Sequence, residues 1–210
     1  MPQALPTFDL ESAFHDAGLS IVVGIDEAGR GALAGPLVAG CALLDPKSIP
    51  AIASIVRDSK LLSASRRVTA FQQISASALA LSVGIVEVDE IDRLGIGPSN
   101  RLALERAVER LPFEPDAILC DAFVIEHSAP QVGLIDGDAQ CISISAASII
   151  AKVTRDRIMA EQDCRYPVYG FGKHAGYGTA AHLDALRRFG PCAEHRHSFA
   201  PVRSAALEWR

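Results

Sequence analysis

Residues 24–36 read Gly-Ile-Asp-Glu-Ala-Gly-Arg-Gly-Ala-Leu-Ala-Gly-Pro. An apolar run ends in two adjacent carboxylates, Asp26 and Glu27, and passes into a glycine-rich stretch with a single cation, Arg30. Carboxylates at the end of a buried strand are costly unless they are paired, protonated or bound to a cation. Successive strand side chains point to opposite faces, so these two can share a site only if the chain turns there. The glycines would supply that turn and bare backbone groups to a ligand. A plain solvated strand-to-loop junction has the same composition. A dinucleotide-binding fingerprint is excluded, because Gly29-x-Gly31-x-x-x-Gly35 has the wrong last spacing and Pro36 stops a helix from following.

Two further acidic sites follow apolar runs. Ile118-Leu119-Cys120 leads into Asp121, and Leu134-Ile135 leads into Asp136-Gly137-Asp138, a natural tight turn in which one acid serves the turn alone. Taken singly, each also fits a cap or a turn. Together they would set four or more carboxylate oxygens at one sheet edge. Such a cluster repels itself by several kcal/mol unless hard cations neutralise it, and Mg²⁺ or Mn²⁺ suits carboxylate, water and phosphate oxygens. Lesser candidates are Ser148 and Lys152, at helical spacing, and Lys173, His174 and Tyr177 in a glycine-rich loop suited to phosphate and sugar contacts or to a plain surface role. Cys164 with Cys192, His195 and His197 could suggest zinc, although core or surface roles suit them better. Arg66-Arg67 and Arg187-Arg188 read as solvated faces.

The elements that must position these groups are α/β. Strand-like runs cover 20–25, 37–44, 80–88 and 117–120, and helical patterns cover 63–77, 98–111, 144–159 and 179–189. Strands first, then strands interleaved with helices, predict a mixed sheet flanked by helices. Residues 166–178, with four glycines and a proline, read as an irregular loop over a site.

Composition bounds the class. With 210 residues, 49% of them apolar and 21% charged, the chain is neither disordered nor collagenous. The net charge of −5 argues at first against nucleic acid. Its distribution argues otherwise: residues 1–151 carry 10 Lys/Arg against 19 Asp/Glu, whereas residues 152–210 carry 10 against 6 and four of the six His. Five widely spaced cysteines form no C-x-x-C, which points to a reducing cytoplasm. Residues 1–20 lack a signal-peptide pattern, and no run of apolar residues is long enough to span a membrane.

Read together, the segments GIDEAGRGALAGPLVAG (24–40), DSKLLSASRR (58–67), ILCDAF (118–123), GDAQCISISAASIIAKVTRDRIM (137–159), YGFGKHAGYGTAAHL (169–183) and HRHSFAPV (195–202) resemble the bacterial ribonuclease HII family, over about residues 22–202. The resemblance implies a ribonuclease H-like fold, a central five-stranded mixed sheet flanked by helices with a small helical C-terminal part from about residue 160. Residues 1–20 would then be an N-terminal extension to a single catalytic domain over 21–210. It implies cleavage of the RNA strand of RNA–DNA hybrids and nicking of duplex DNA on the 5′ side of embedded ribonucleotides, by a monomer. By motif position the metal-binding carboxylates fall on Asp26, Glu27, Asp121 and Asp138. Asp138 is preferred to Asp136 by its spacing to Ala146-Ala147-Ser148. Gly29-Arg30-Gly31 matches the segment that reads the ribose 2′-hydroxyl, and Tyr177 the tyrosine that senses the following sugar. Lys60, Ser148, Lys152 and Lys173 are candidate phosphate contacts or carboxylate-orienting groups.

Two positions depart from the family pattern. Ala122 replaces a glycine, a change expected to be tolerated if its φ is negative. Asp136 replaces a basic residue, leaving an extra acid close to the metals. The expected chemistry is two-metal phosphodiester hydrolysis giving 3′-hydroxyl and 5′-phosphate ends, with Asp26 bridging the ions. The alternatives are a non-catalytic hybrid-binding module and a Mg²⁺-dependent phosphohydrolase of small phosphoesters.

Overall fold

The computed structural model describes residues 6–56 and 63–209. Along the chain run α1 (Asp9–Asp16), β1 (Val22–Ala28), β2 (Leu37–Leu44), α2 (Ile49–Val56), α3 (Ala64–Ser77), β3 (Ala78–Val86), α4 (Val88–Leu94), α5 (Ile96–Glu109), β4 (Ala117–Asp121), β5 (Gln131–Leu134), α6 (Ile142–Arg165), α7 (Phe171–His174), α8 (Ala180–Phe189) and α9 (Ala200–Glu208). The strands form one mixed sheet in the order β3-β2-β1-β4-β5. β1 pairs antiparallel with β2 and parallel with β4, and β4 pairs parallel with β5.

Helices cover both faces, as the mixture of strand and helix patterns predicts. Val23, Ile25, Ile118 and Cys120 pack with Ala103, Leu104 and Ala107 of α5 on one side. On the other, Ala42 and Leu44 meet Ile142, Ala146, Ala147 and Ile150 of α6, together with Ile52 and Ile74 from α2 and α3. The first turns of α6 are small residues, Ser-Ile-Ser-Ala-Ala-Ser, which let its backbone lie against Gly24 of β1, where any Cβ would strike Ser143. This close seating fixes α6, and with it Ser148 and Lys152, against the end of β1.

The α6 N-terminus is capped from far away in sequence. Glu11 of α1 is buried, and its Oε1 accepts from the Ser143 backbone N–H at 2.9 Å. A carboxylate there satisfies an otherwise open helical donor and complements the helix dipole.

The helical patterns at 63–77, 98–111, 144–159 and 179–189 correspond to α3, α5, α6 and α8, with α6 extended at both ends. The expectation of a turn at Asp26-Glu27 is corrected. β1 continues through both carboxylates to Ala28, paired with β2 as far as Ala28–Val38. The carboxylates meet for a different reason, described below.

Candidate active site

Pairing between β1 and β4 stops at Ile25–Cys120, while β1 runs on for three more residues. Beyond that point β1 has no strand beside it on the β4 side. The opening lies at the carboxyl ends of two parallel strands, the usual position of a ligand crevice in such sheets. Asp26 shares the α6-facing side with Gly24, and its carboxylate bonds the Ser148 side chain. Glu27 shares the α5-facing side with Val23 and Ile25, and its carboxylate accepts from the Asn100 side chain. Opposite faces of one strand thus reach one crevice around an unpaired edge.

The other two acids arrive from the neighbouring strand. Asp121 ends β4, and its Oδ1 accepts from the Gly137 N–H at 2.7 Å. That bond draws in the helical turn Gly137–Ala139, which buries Asp138. Asp26, Glu27, Asp121 and Asp138 all line one cavity of about 370 Å³, with Gly29, Arg30, Gly31, Arg67, Ser148, Lys152 and Tyr177. Asp136 is exposed, outside that lining, in a left-handed turn conformation.

The electrostatics are strained. Burial, then the neighbouring Asp121 and Glu27 carboxylates, hold Asp26 well above the ordinary carboxylate range, against the opposing Ser148 hydrogen bond. Burial and Asp121 raise Glu27 as well, against Arg30 and Asn100. Glu27 Oε2 is buried and has no hydrogen-bond partner. Among the described residues, no three acidic, His or Cys side chains already close around one ion. Asp26 Oδ1 accepts instead from the Glu27 N–H, and Asp121 Oδ1 from Gly137. An all-oxygen donor set with raised carboxyl pKa values and an unpartnered buried oxygen fits a hard divalent cation. The cation would relieve both the repulsion and the missing partner.

The glycine-rich loop after β1 is held from behind by two guanidinium groups that sequence reading did not single out. Arg155 of α6 donates to the carbonyls of Ala34, Pro36 and Ala175. Arg196 donates twice to Gly35 and once to Arg30. Both are fully buried. Burial lowers the Arg155 pKa, and takes Arg196, next to Arg155, down to about 9. Gly29 adopts φ 95° with the Arg155 side chain where its Cβ would lie, so only glycine fits. The second arginine stands in the His-Arg-His-Ser segment (195–198), noted in the sequence only as part of a motif.

Tyr177 faces the cleft, its ring 5.7 Å from Lys152 Nζ and 5.4 Å from the Arg155 guanidinium carbon. A chain of imidazoles fixes its backbone. His182 Nδ1 lies 3.0 Å from the Tyr177 carbonyl and must donate to it, so its Nε2 accepts from His195 Nε2 at 3.0 Å. His195 Nδ1 is then left to accept from the Cys192 N–H at 3.0 Å. Burial lowers both histidines, His195 to about 3, so both are neutral. The suggestion of zinc finds no support in this arrangement. Cys164 is exposed, the His197 backbone bonds Asp92, and no three candidate ligands converge among the described residues.

Arg67, expected on a solvated face, lines the cleft and stands 3.7 Å from Asp156, which also pairs with Lys152 at 2.6 Å. Arg66 is exposed as expected. Lys173 lines a separate surface cavity with His174, Asp184 and Arg188. Lys60 lies outside the described residues. Ala122 has φ 59°, so the negative φ at which alanine would be tolerated there is not met. The left-handed backbone explains why glycine suits this position, and alanine strains it by about 1–2 kcal/mol beside a cleft carboxylate.

A family model described as ribonuclease HII matches residues 23–202. The chain belongs to the ribonuclease HII family. It is 44% identical over 206 residues to a ribonuclease HII of Dehalococcoides mccartyi, covering 97% of this chain and 98% of that one. It is 50% identical over 195 residues to a ribonuclease HII of Geobacillus thermodenitrificans, covering 93% and 74% of the two chains. Among solved structures, the ribonuclease H2 of Pyrococcus horikoshii OT3 superposes with a TM-score of 0.76 at 29% identity, covering 89% of this chain and 97% of that one. An RNase HIII solved in complex with Mn²⁺ shares the fold, with a TM-score of 0.68 at 22% identity over 99% of this chain and 74% of that one. As a ribonuclease HII family member the protein is a ribonuclease H endonuclease, which sets aside the non-catalytic module and the small-phosphoester hydrolase. Among the described residues no helix is long and apolar enough to cross a membrane.

Proposed function

We propose that this ribonuclease H cleaves the RNA strand of RNA–DNA hybrids and nicks duplex DNA on the 5′ side of an embedded ribonucleotide, leaving 3′-hydroxyl and 5′-phosphate ends. The observation that carries the reading is the convergence of four carboxylates from β1, β4 and the turn at 137–139 on one cleft. Asp26, Glu27, Asp121 and Asp138 would hold two Mg²⁺ or Mn²⁺ ions. Such ions, when bound, neutralise the phosphate, lower the pKa of a water and stabilise the leaving 3′-oxygen.

The remaining steps belong to the chain. Ser148 orients Asp26, and Asn100 orients Glu27. The Gly29-Arg30-Gly31 backbone, held rigid by Arg155 and Arg196, reads the 2′-hydroxyl that separates RNA from DNA. Tyr177, its carbonyl fixed by His182, packs on the sugar that follows. Lys152 and Arg67 line the cleft as phosphate contacts; their ion pairs with Asp156 are partly exposed and cost little to exchange for phosphate.

The test is a labelled duplex DNA holding one ribonucleotide, and a uniform RNA–DNA hybrid, each incubated with and without Mg²⁺ or Mn²⁺. The expected result is metal-dependent incision of both, with a single 5′-side nick in the first. Tyr177→Ala should depress incision at the single ribonucleotide more than it alters the melting temperature. Cleavage that proceeds undiminished in EDTA, or a ribonucleotide-bearing duplex left intact, would overturn the reading.

A further inference from the structure

We propose that a second cavity beside the acidic cleft, walled by Arg30, Asn100, Arg101 and Phe123, is a nucleotide subsite that takes the neighbour of the reacting nucleotide on the cleaved strand. This deepens the function proposed above and rests on it. The cavity, of about 250 Å³, is bounded also by Gly97 and Pro98 at the start of α5. Arg30 lines both cavities, so a strand held in the cleft reaches the second one within one residue's width.

The walls match the parts of a nucleotide. Two arginines and no acid line the cavity, the reverse of the neighbouring cleft, so a phosphate is favoured here without any metal. Phe123 is 43% exposed, next to Val124 at 50%, on the segment that leaves β4 directly after Asp121 and Ala122. Its ring carries the Arg30 guanidinium at 4.5 Å from the centroid, a stacked pair that presents a flat platform for a base or sugar.

Asn100 supplies an independent observation. The residue is only 3% exposed, and its side chain donates to Glu27. Its Oδ1 is buried and accepts from nothing. A buried acceptor left open is destabilising, and a hydroxyl or a base N–H in this cavity would satisfy it. One amide would then touch both the metal-binding Glu27 and the flanking nucleotide, linking occupancy of the subsite to the cleft.

The experiment measures cleavage of hybrids with one scissile site by the wild type, Phe123→Ala, Phe123→Leu and Arg101→Gln. The cleaved strand is shortened one nucleotide at a time from either end. On the full-length hybrid, Phe123→Ala and Arg101→Gln should each raise KM about tenfold, the scale of losing one stacked base or one phosphate contact, with a smaller effect on kcat. Phe123→Leu keeps the apolar bulk and controls for folding, and it should lose most of the same affinity. Removing the nucleotide that occupies the subsite should bring wild type and variants to the same KM. Variants that keep the wild-type KM on the full-length hybrid would overturn the proposal. So would a defect of the same size on every shortened strand. A wild type that leaves the full-length hybrid intact would instead sink the underlying functional reading, and the subsite with it.

Discussion

At the mouth of the cleft, burial and a neighbouring carboxylate hold Asp26 and Glu27 above their ordinary range, and Glu27 Oε2 lacks a partner. Behind the adjoining loop, Arg155 and Arg196 are fully buried, yet all six guanidinium nitrogens donate to backbone carbonyls. Both regions bury like charges next to each other. The basic one completes itself from the backbone at hand, and so it serves as scaffold. The acidic one does so only in part: Asp26 and Asp121 accept backbone N–H bonds, but Glu27 Oε2 stays open, and that missing partner defines what must come from outside. Buried charge therefore marks a binding site only where the fold leaves it unsatisfied.

Substitutions at the two regions should move stability in opposite directions. Asp26→Asn should cut cleavage by about three orders of magnitude, as the loss of a carboxylate proposed to hold a cation would. The same change should raise the melting temperature of the metal-free protein, since it removes a carboxylate whose ionised form the fold disfavours. A metal-free melting temperature that falls sharply would show that Asp26 supports the fold. Arg196→Gln should do the reverse, costing about 3 kcal/mol in urea denaturation as the Gly35 and Arg30 carbonyls lose three charged hydrogen bonds. A loss under about 0.5 kcal/mol would show that the loop holds without it.

The imidazole pair extends the comparison to pH. In the unfolded chain both histidines titrate near 6.5, whereas the fold holds His195 to about 3 and lowers His182. Their contribution is complete above pH 6.5. Below it the unfolded chain takes up protons that the fold refuses, and stability falls by up to about 1.4 kcal/mol per pH unit for each group. Denaturation curves between pH 7 and 5 should show this slope, and His195→Gln should flatten it.

Ala122→Gly should stabilise the protein by about 1 kcal/mol, by relieving the left-handed alanine. Chemical denaturation would reveal a wrong assignment as a loss instead. The smallest effect is expected at Lys173→Ala. Its cavity lies apart from the cleft, so cleavage in about 0.1 M salt should change by less than about twofold.

Much of the sheet was legible because its strands are short apolar runs between glycines and acids, and 37–44 matched β2 residue for residue. Asp26 and Asp121 were legible for the same reason, as acids that follow an apolar run, where burial makes them expensive; by that rule Asp136 stands out as much as Asp138, and only the family resemblance favoured Asp138. Short helices such as α2 and α4 were not, since a turn or two holds too few residues to display a period. Arg67 also escaped. On α3 it belongs to a polar face by pattern, and only the packing of α3 on α6 turns that face toward the cleft.

From the sequence alone came the donor types, the glycines and their order along the chain, which is enough to suggest the chemistry: carboxylate oxygens beside a glycine-rich, backbone-exposing loop. Spacing along a chain says nothing about where strand pairing ends. It took the tertiary structure to stop the β1–β4 ladder at Ile25–Cys120, so that both faces of one strand open into one crevice. It also took the fold to bring Arg155 and Arg196 from the chain's last third to carbonyls of residues 30–36. The positive excess of that last third thus includes two charges spent inside the protein, out of reach of any phosphate, because a guanidinium can satisfy several carbonyls that no nearer donor reaches.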